Sequence, residues 1–129
     1  MATWDDVRRI AMALPAVTEG SSFDGQLTWK VRDKGFVWER PLRKADHEAL
    51  DAAPDGPILG AWVPDVGAQQ ALVSADPEVF FVTPHFEGYP AVLILLDQIG
   101  EAELAEVVTE AWTVKAPKRL AKEYFEAQG

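Results

Sequence analysis

The sequence predicts one α+β domain spanning residues 1–129, an antiparallel β-sheet with helices packed mainly on one face. Its strands come in hairpins rather than in regular alternation with helices, which argues against a parallel α/β sheet. Leu27 to Arg40 reads as strand, tight turn and strand; Phe80 to Leu96 reads as two apolar strands joined by a stiff loop holding Pro84, Gly88 and Pro90. Helical periodicity flanks these runs, after Thr3 and after Gly100. A chain of 129 residues that is 48% apolar, with five Trp and six Phe, suffices for one core.

Thr3-Trp4-Asp5-Asp6 opens the first helix, with the Thr3 hydroxyl placed to cap a free N–H and Asp6 placed to reach back. Val7, Ile10, Ala11 and Leu14 form its inner face and Pro15 ends it. Thr18 to Ser22 is rich in turn residues and reads as a loop. Leu27, Trp29 and Val31 then alternate with Thr28, Lys30 and Arg32, the period of a half-buried strand. Asp33-Lys34-Gly35 is the turn signal, with Gly35 expected to take the positive φ, and Phe36 to Arg40 returns.

Arg43 to Ala53 has helical composition, and Pro54-Asp55-Gly56-Pro57 breaks it. Ile58 to Val63 reads as a strand and Val66 to Ser74 as a short helix. Leu104, Val107, Val108, Ala111 and Trp112 line the inner face of a helix from about Glu101 to Val114, with Glu103, Glu106 and Glu110 outward. A last helix begins at Ala116-Pro117, with Leu120, Tyr124 and Phe125 as its apolar side.

Composition narrows the function classes. With no cysteine, disulfides, zinc–thiolate sites and cysteine nucleophiles are excluded. That fits a reducing cytosol, so a cytoplasmic location is expected. Met1 to Asp6 lacks the basic and apolar regions of a secretory signal, and the run Ala91 to Leu96 falls far short of the roughly 20 residues a membrane helix needs, so no membrane role is expected. Net charge is −9, a field that opposes encounter with phosphate backbones. The charge is segregated: no Lys or Arg lies between Lys44 and Lys115, a stretch holding 13 of the 21 carboxylates.

Three constellations bear on function. His85 stands in a proline-flanked turn beside Phe86 and Tyr89. A lone histidine there is more often a hydrogen-bonded structural residue than a catalyst, because a catalytic base needs a positioned partner and none appears at motif spacing. The aromatic set, with Trp62 and Tyr89 its least core-like members, suggests a stacking platform, although aromatics at strand period are mostly core. A ligand site of His85, Phe86, Tyr89 and Trp62 follows, for a small molecule or a protein. Finally, Lys30, Arg32, Lys34, Arg40, Arg43 and Lys44 form one basic cluster, and Lys115, Lys118, Arg119 and Lys122 a second. Convergence of the two would make a phosphate-binding surface, while either alone is an ordinary solvated face. No metal site, cofactor or catalytic residue is expected: Ser21, Ser22 and Ser74 lack nucleophile-elbow context, and no glycine loop cradles a phosphate.

Several of these pieces, in order, resemble the MmcQ/YjbR family: Leu14-Pro15 with Glu19, Lys30-Val31-Arg32, Thr83-Pro84-His85, Gly88-Tyr89-Pro90, Val92 to Asp97, Ala111-Trp112 and Ala116-Pro117-Lys118-Arg119-Leu120. The match runs along nearly the whole chain. The resemblance implies a frataxin-like or secretion-chaperone-like arrangement, an antiparallel sheet with helices on one side. It also implies the family's DNA-binding label, in which hairpin wings contact a duplex. Here that assigns Lys30, Arg32, Lys34, Arg43, Lys118, Arg119 and Lys122 to nucleic acid. The alternative is a small-molecule or protein-binding module around His85 with no nucleic-acid role.

Overall fold

The computed structural model describes residues 2–21, 25–42, 44–49 and 56–128. Strands β1 (Val17–Ser21), β2 (Leu27–Val31), β3 (Lys34–Glu39), β4 (Ile58–Trp62), β5 (Phe80–Phe81) and β6 (Ala91–Leu95) form one sheet in the order β1-β2-β3-β4-β6-β5. Every neighbouring pair is antiparallel. The helices are α1 (Trp4–Met12), α2 (Lys44–Ala49), α3 (Val66–Ala75), α4 (Glu101–Lys115) and α5 (Lys118–Gln128). This is the α+β architecture that the hairpin pattern predicts.

The period of two along β4 and β6 divides the core. Leu59, Ala61, Val92 and Ile94 face the main cluster, with Leu104, Val108, Ala111 and Trp112 of α4 and Val7 and Ala11 of α1 packed against it. Ala68, Leu72 and Val73 of α3, with Leu120 and Tyr124 of α5, border the same cluster. The five inward residues of α4 are all buried, as their spacing predicts. Each fully buried Leu or Val there stabilises the fold by about 1.5–3 kcal/mol. Ile58, Ala91 and Leu93 face the other way and form a second cluster with Phe86, bordered by Trp38, Leu42 and Trp62. Among the described residues, Phe86 of the 84–90 turn and Leu42 pack over that side.

The first helix carries the expected capping box: the Asp6 N–H donates to the Thr3 hydroxyl and the Thr3 N–H donates to the Asp6 carboxylate. That backbone donation, with the Arg9 guanidinium beside it, lowers the Asp6 pKa. The cap is therefore strongest above the ordinary carboxylate range and is lost as pH falls through the lowered value.

The structure corrects three local expectations. Val17–Ser21 is an edge strand, not a loop; after the half-buried Val17 its four remaining residues are all exposed, so no alternation marks it, and pairing with β2 defines it. The hairpin tip is Arg32–Asp33, with φ of 51° and 69°, the pair of positive angles that a two-residue type I′ turn requires. Gly35 instead lies within β3 opposite Lys30, beside a bulge at Trp29/Lys30. Phe125 is 48% exposed rather than packed inward.

The tip makes a direct prediction. Asp33→Gly removes a Cβ from a left-handed position and should raise stability by about 0.5–1 kcal/mol. A lower urea midpoint in the variant would contradict this.

Candidate functional site

The site expected around His85 lies on the side of the sheet that carries the second cluster, and it is built by a glycine. Gly60 of β4 pairs with Trp38 of β3, and a Cβ there would stand 2.3 Å from Trp38 Cε2. Glycine lets the Trp38 indole lie flat across β4, where Trp62 (centroids 6.1 Å) and Phe86 (6.5 Å) pack at tilted angles. Trp38 and Trp62 are half-buried, while Phe86 is buried.

Two cations stand against these rings. The Lys115 Nζ lies 3.9 Å from the Trp62 ring centroid, and the Arg40 guanidinium lies 5.4 Å from that of Phe86. Arg40 is also ion-paired to Asp46 at 3.1 Å, with side-chain exposures of 10% and 7%. Arg40 is therefore absent from the basic surface that its sequence neighbourhood suggests, and Lys115 is drawn to the aromatic cluster.

The 84–90 turn is pinned from α3. Asp65 caps that helix through a bond from the Ala68 N–H, and Gln69, one turn in, is buried. Its Nε2 donates to the carbonyls of Phe86 (3.1 Å), Tyr89 (2.8 Å) and Ala91 (2.7 Å). The two hydrogens of this amide are thus shared among three main-chain acceptors at the entry to β6. Thr83, fully buried at the start of the 3₁₀ turn Pro84–Phe86, has an Oγ1 with no hydrogen-bond partner among the described residues.

Of the four expected ligand residues, Phe86 and Trp62 join this cluster. Tyr89 is 53% exposed, and the bond from the Val63 N–H to the Pro90 carbonyl brings its loop beside the Trp62 end of β4. His85 sits in the 3₁₀ turn, but its side chain lies outside the described residues. Among those residues no three of His, Asp and Glu cluster closely enough to hold a metal ion.

The two basic clusters meet at one place. Arg32 at the hairpin tip and Arg119 of α5 line a single groove of about 330 Å³ with Pro117, Leu120 and Glu123. Arg119 Nε is 3.3 Å from Glu123 Oε1, yet its side chain is 91% exposed. Lys34 pairs across the strands with Val31 and so belongs to the helix side of the sheet, as the groove does. Lys30 alternates with Trp29 and Val31 and belongs to the opposite face. Lys118 and Lys122 are exposed on α5, Lys122 lying 3.9 Å from Glu126. Arg43 lies outside the described residues.

Sequence reasoning missed Gln69, Gly60 and the Arg40–Asp46 pair. A signal existed for Gln69, a polar residue in one helical stripe with Leu72 and Val73. The six-residue separation of Arg40 and Asp46 matches no regular period, so nothing local marks that pair.

Comparison with known proteins follows the same lines. A family model described as YjbR matches residues 12–114. Uncharacterised proteins of Mycobacterium tuberculosis and Mycobacterium bovis are 47% identical over 133 aligned positions, covering all of this chain and all of theirs. The crystal structure of a Deinococcus radiodurans protein with the domain DUF419 superposes with a TM-score of 0.69 at 23% identity, covering 95% of this chain and 88% of that one. That likeness is one of fold. No helix among the described residues is long and apolar enough to cross a membrane.

Proposed function

This chain belongs to the YjbR family, and we propose that it is a binding protein whose recognition surface is the groove between the β2–β3 tip and the start of α5. Its ligand is a phosphate-bearing polymer, with duplex DNA the case that the family's label names. The observation that carries this reading is the joint lining of one groove by Arg32 and Arg119, from clusters 87 positions apart in sequence. Guanidinium groups fork onto phosphate oxygens, and Lys34 and Lys118 would add point charges at the margin. The acidic middle of the chain opposes approach, so the reading requires a local positive field that salt screens readily.

Fluorescence anisotropy with a labelled duplex tests it. At low salt and micromolar protein, binding is expected, and log K should fall with log salt at a slope of about −3 for three to four phosphate contacts. Arg32→Ala with Arg119→Ala should make that slope shallower by about 2. If low salt yields no binding, or the slope ignores these variants, the reading fails.

A second reading is supported by the Lys115 ammonium over Trp62, an arrangement suited to a planar anionic small molecule stacked on the indole. It calls for thermal stabilisation by an aromatic carboxylate or mononucleotide that disappears in Trp62→Leu. A shift that survives this substitution would place the compound elsewhere.

A further inference from the structure

We infer that the outer groove between α4 and α5 docks a cationic amphipathic helix of a partner protein. The inference is independent of the phosphate-binding reading, because this groove shares no residue with the Arg32–Arg119 groove. It has a volume of about 540 Å³ and is lined by Ala105, Thr109 and Thr113, by Phe125, and by Glu106 and Glu110.

The first three recur at i, i+4 and i+8, so they form one stripe along α4, about 12 Å long. Small side chains there leave a trough, and the Thr113 hydroxyl donates to the Thr109 carbonyl (3.0 Å), so it is satisfied within the helix. A trough of that length accommodates two to three apolar side chains at i, i+3 or i+4 and i+7 of an opposing helix.

The wall is preorganised. The Phe125 ring packs edge-on against Tyr124 (5.2 Å), and Tyr124 packs in the same way on Trp112 (5.2 Å), which is fully buried and donates from Nε1 to the Pro15 carbonyl. An aromatic side chain held by a ladder of rings, yet 48% exposed, loses little freedom when covered.

Charge selects the occupant. Glu106 and Glu110 stand four apart on one helix, a spacing at which like charges oppose helix formation. Among the described residues neither has an ion-pair or hydrogen-bond partner, whereas Asp6, Glu101, Glu123 and Glu126 are each paired. Lys or Arg flanking the apolar stripe of a docked helix would neutralise both. A second copy of this chain brings another −9 to the contact, so the complementary occupant is a basic partner.

The probe is a fluorescein-labelled synthetic peptide of four helical turns, with Leu and Ala on one face and Lys flanking them. Its control has the same composition in an order that breaks the stripe. Anisotropy should show binding of the amphipathic peptide and about tenfold or greater weakening for the control, for Phe125→Asp and for Thr109→Arg. Glu106→Gln with Glu110→Gln should weaken binding and flatten its salt dependence, with circular dichroism showing a melting midpoint unchanged or raised. Absence of binding, equal binding of the scrambled peptide, or indifference to Phe125→Asp would overturn the inference. So would sedimentation that finds a dimer abolished by Phe125→Asp, which would assign the groove to a second copy.

Discussion

Asp46→Ala should lower the unfolding free energy by about 3–5 kcal/mol, because it leaves the largely buried Arg40 guanidinium without its carboxylate. Against a total of about 5–15 kcal/mol for a domain of this kind, that is a large share. The Arg40 main-chain N–H donates to the Ile58 carbonyl, its side chain donates to the Pro41 carbonyl and its guanidinium lies over Phe86, so the residue cannot swing out to solvent without dismantling that corner. The partner test uses Arg40→Met with Asp46→Leu. Removing both charges should recover most of the loss, since the isolated ion and not the absent attraction is what costs. Urea unfolding of the two variants decides it. A loss below about 1 kcal/mol for Asp46→Ala would mean that the guanidinium is hydrated and that the pair is not a structural clamp.

The second large effect is expected at Gly60. A Cβ at this position meets three Trp38 ring atoms at 2.3–2.6 Å, and the indole has Trp62 and Phe86 packed beside it. Gly60→Ala should therefore cost about 1–3 kcal/mol through forced displacement of the ring, and should alter the tryptophan emission. Trp38→Leu in the same chain should relieve the clash, so the double variant should be less destabilised than the sum of the two single ones. Strict additivity, or a Gly60→Ala midpoint equal to that of the parent, would show that the ring accommodates the methyl freely. The outcome bears on function as well, because Trp38 forms part of the cluster that includes Trp62.

Much of the fold was legible because several elements carry their own period. The inward stripe of α4 at i, i+3, i+4, i+7 and i+8 is buried as its spacing implied. The Thr3–Asp6 box closes as its spacing implied, and the Phe80 and Ala91 runs pair with each other. What failed lacked such a signature. The edge strand β1 is exposed at every position after Val17, so no alternation marks it, and the hairpin tip turned on Arg32 and Asp33 while Gly35 went to the strand, because cross-strand register outweighed the local preference of glycine.

The site divides in the same way. Phe86 and Trp62 were visible as aromatics near a turn, but the glycine that admits Trp38 and the amide of Gln69 that bonds three carbonyls are contacts between distant segments, and the capture of Arg40 by Asp46 follows no regular period.

By itself the sequence determined the fold class, the helix-covered face of the sheet, and the family, because apolar periodicity and ordered short motifs are properties of the chain read locally. Only the tertiary structure decided which charges remain at the surface. Arg40 and Lys115 are drawn onto aromatic rings, whereas Arg32 and Arg119 are brought to one groove. Long-range packing sets the burial and neighbours of a side chain, and these govern whether a cation serves the core or a ligand.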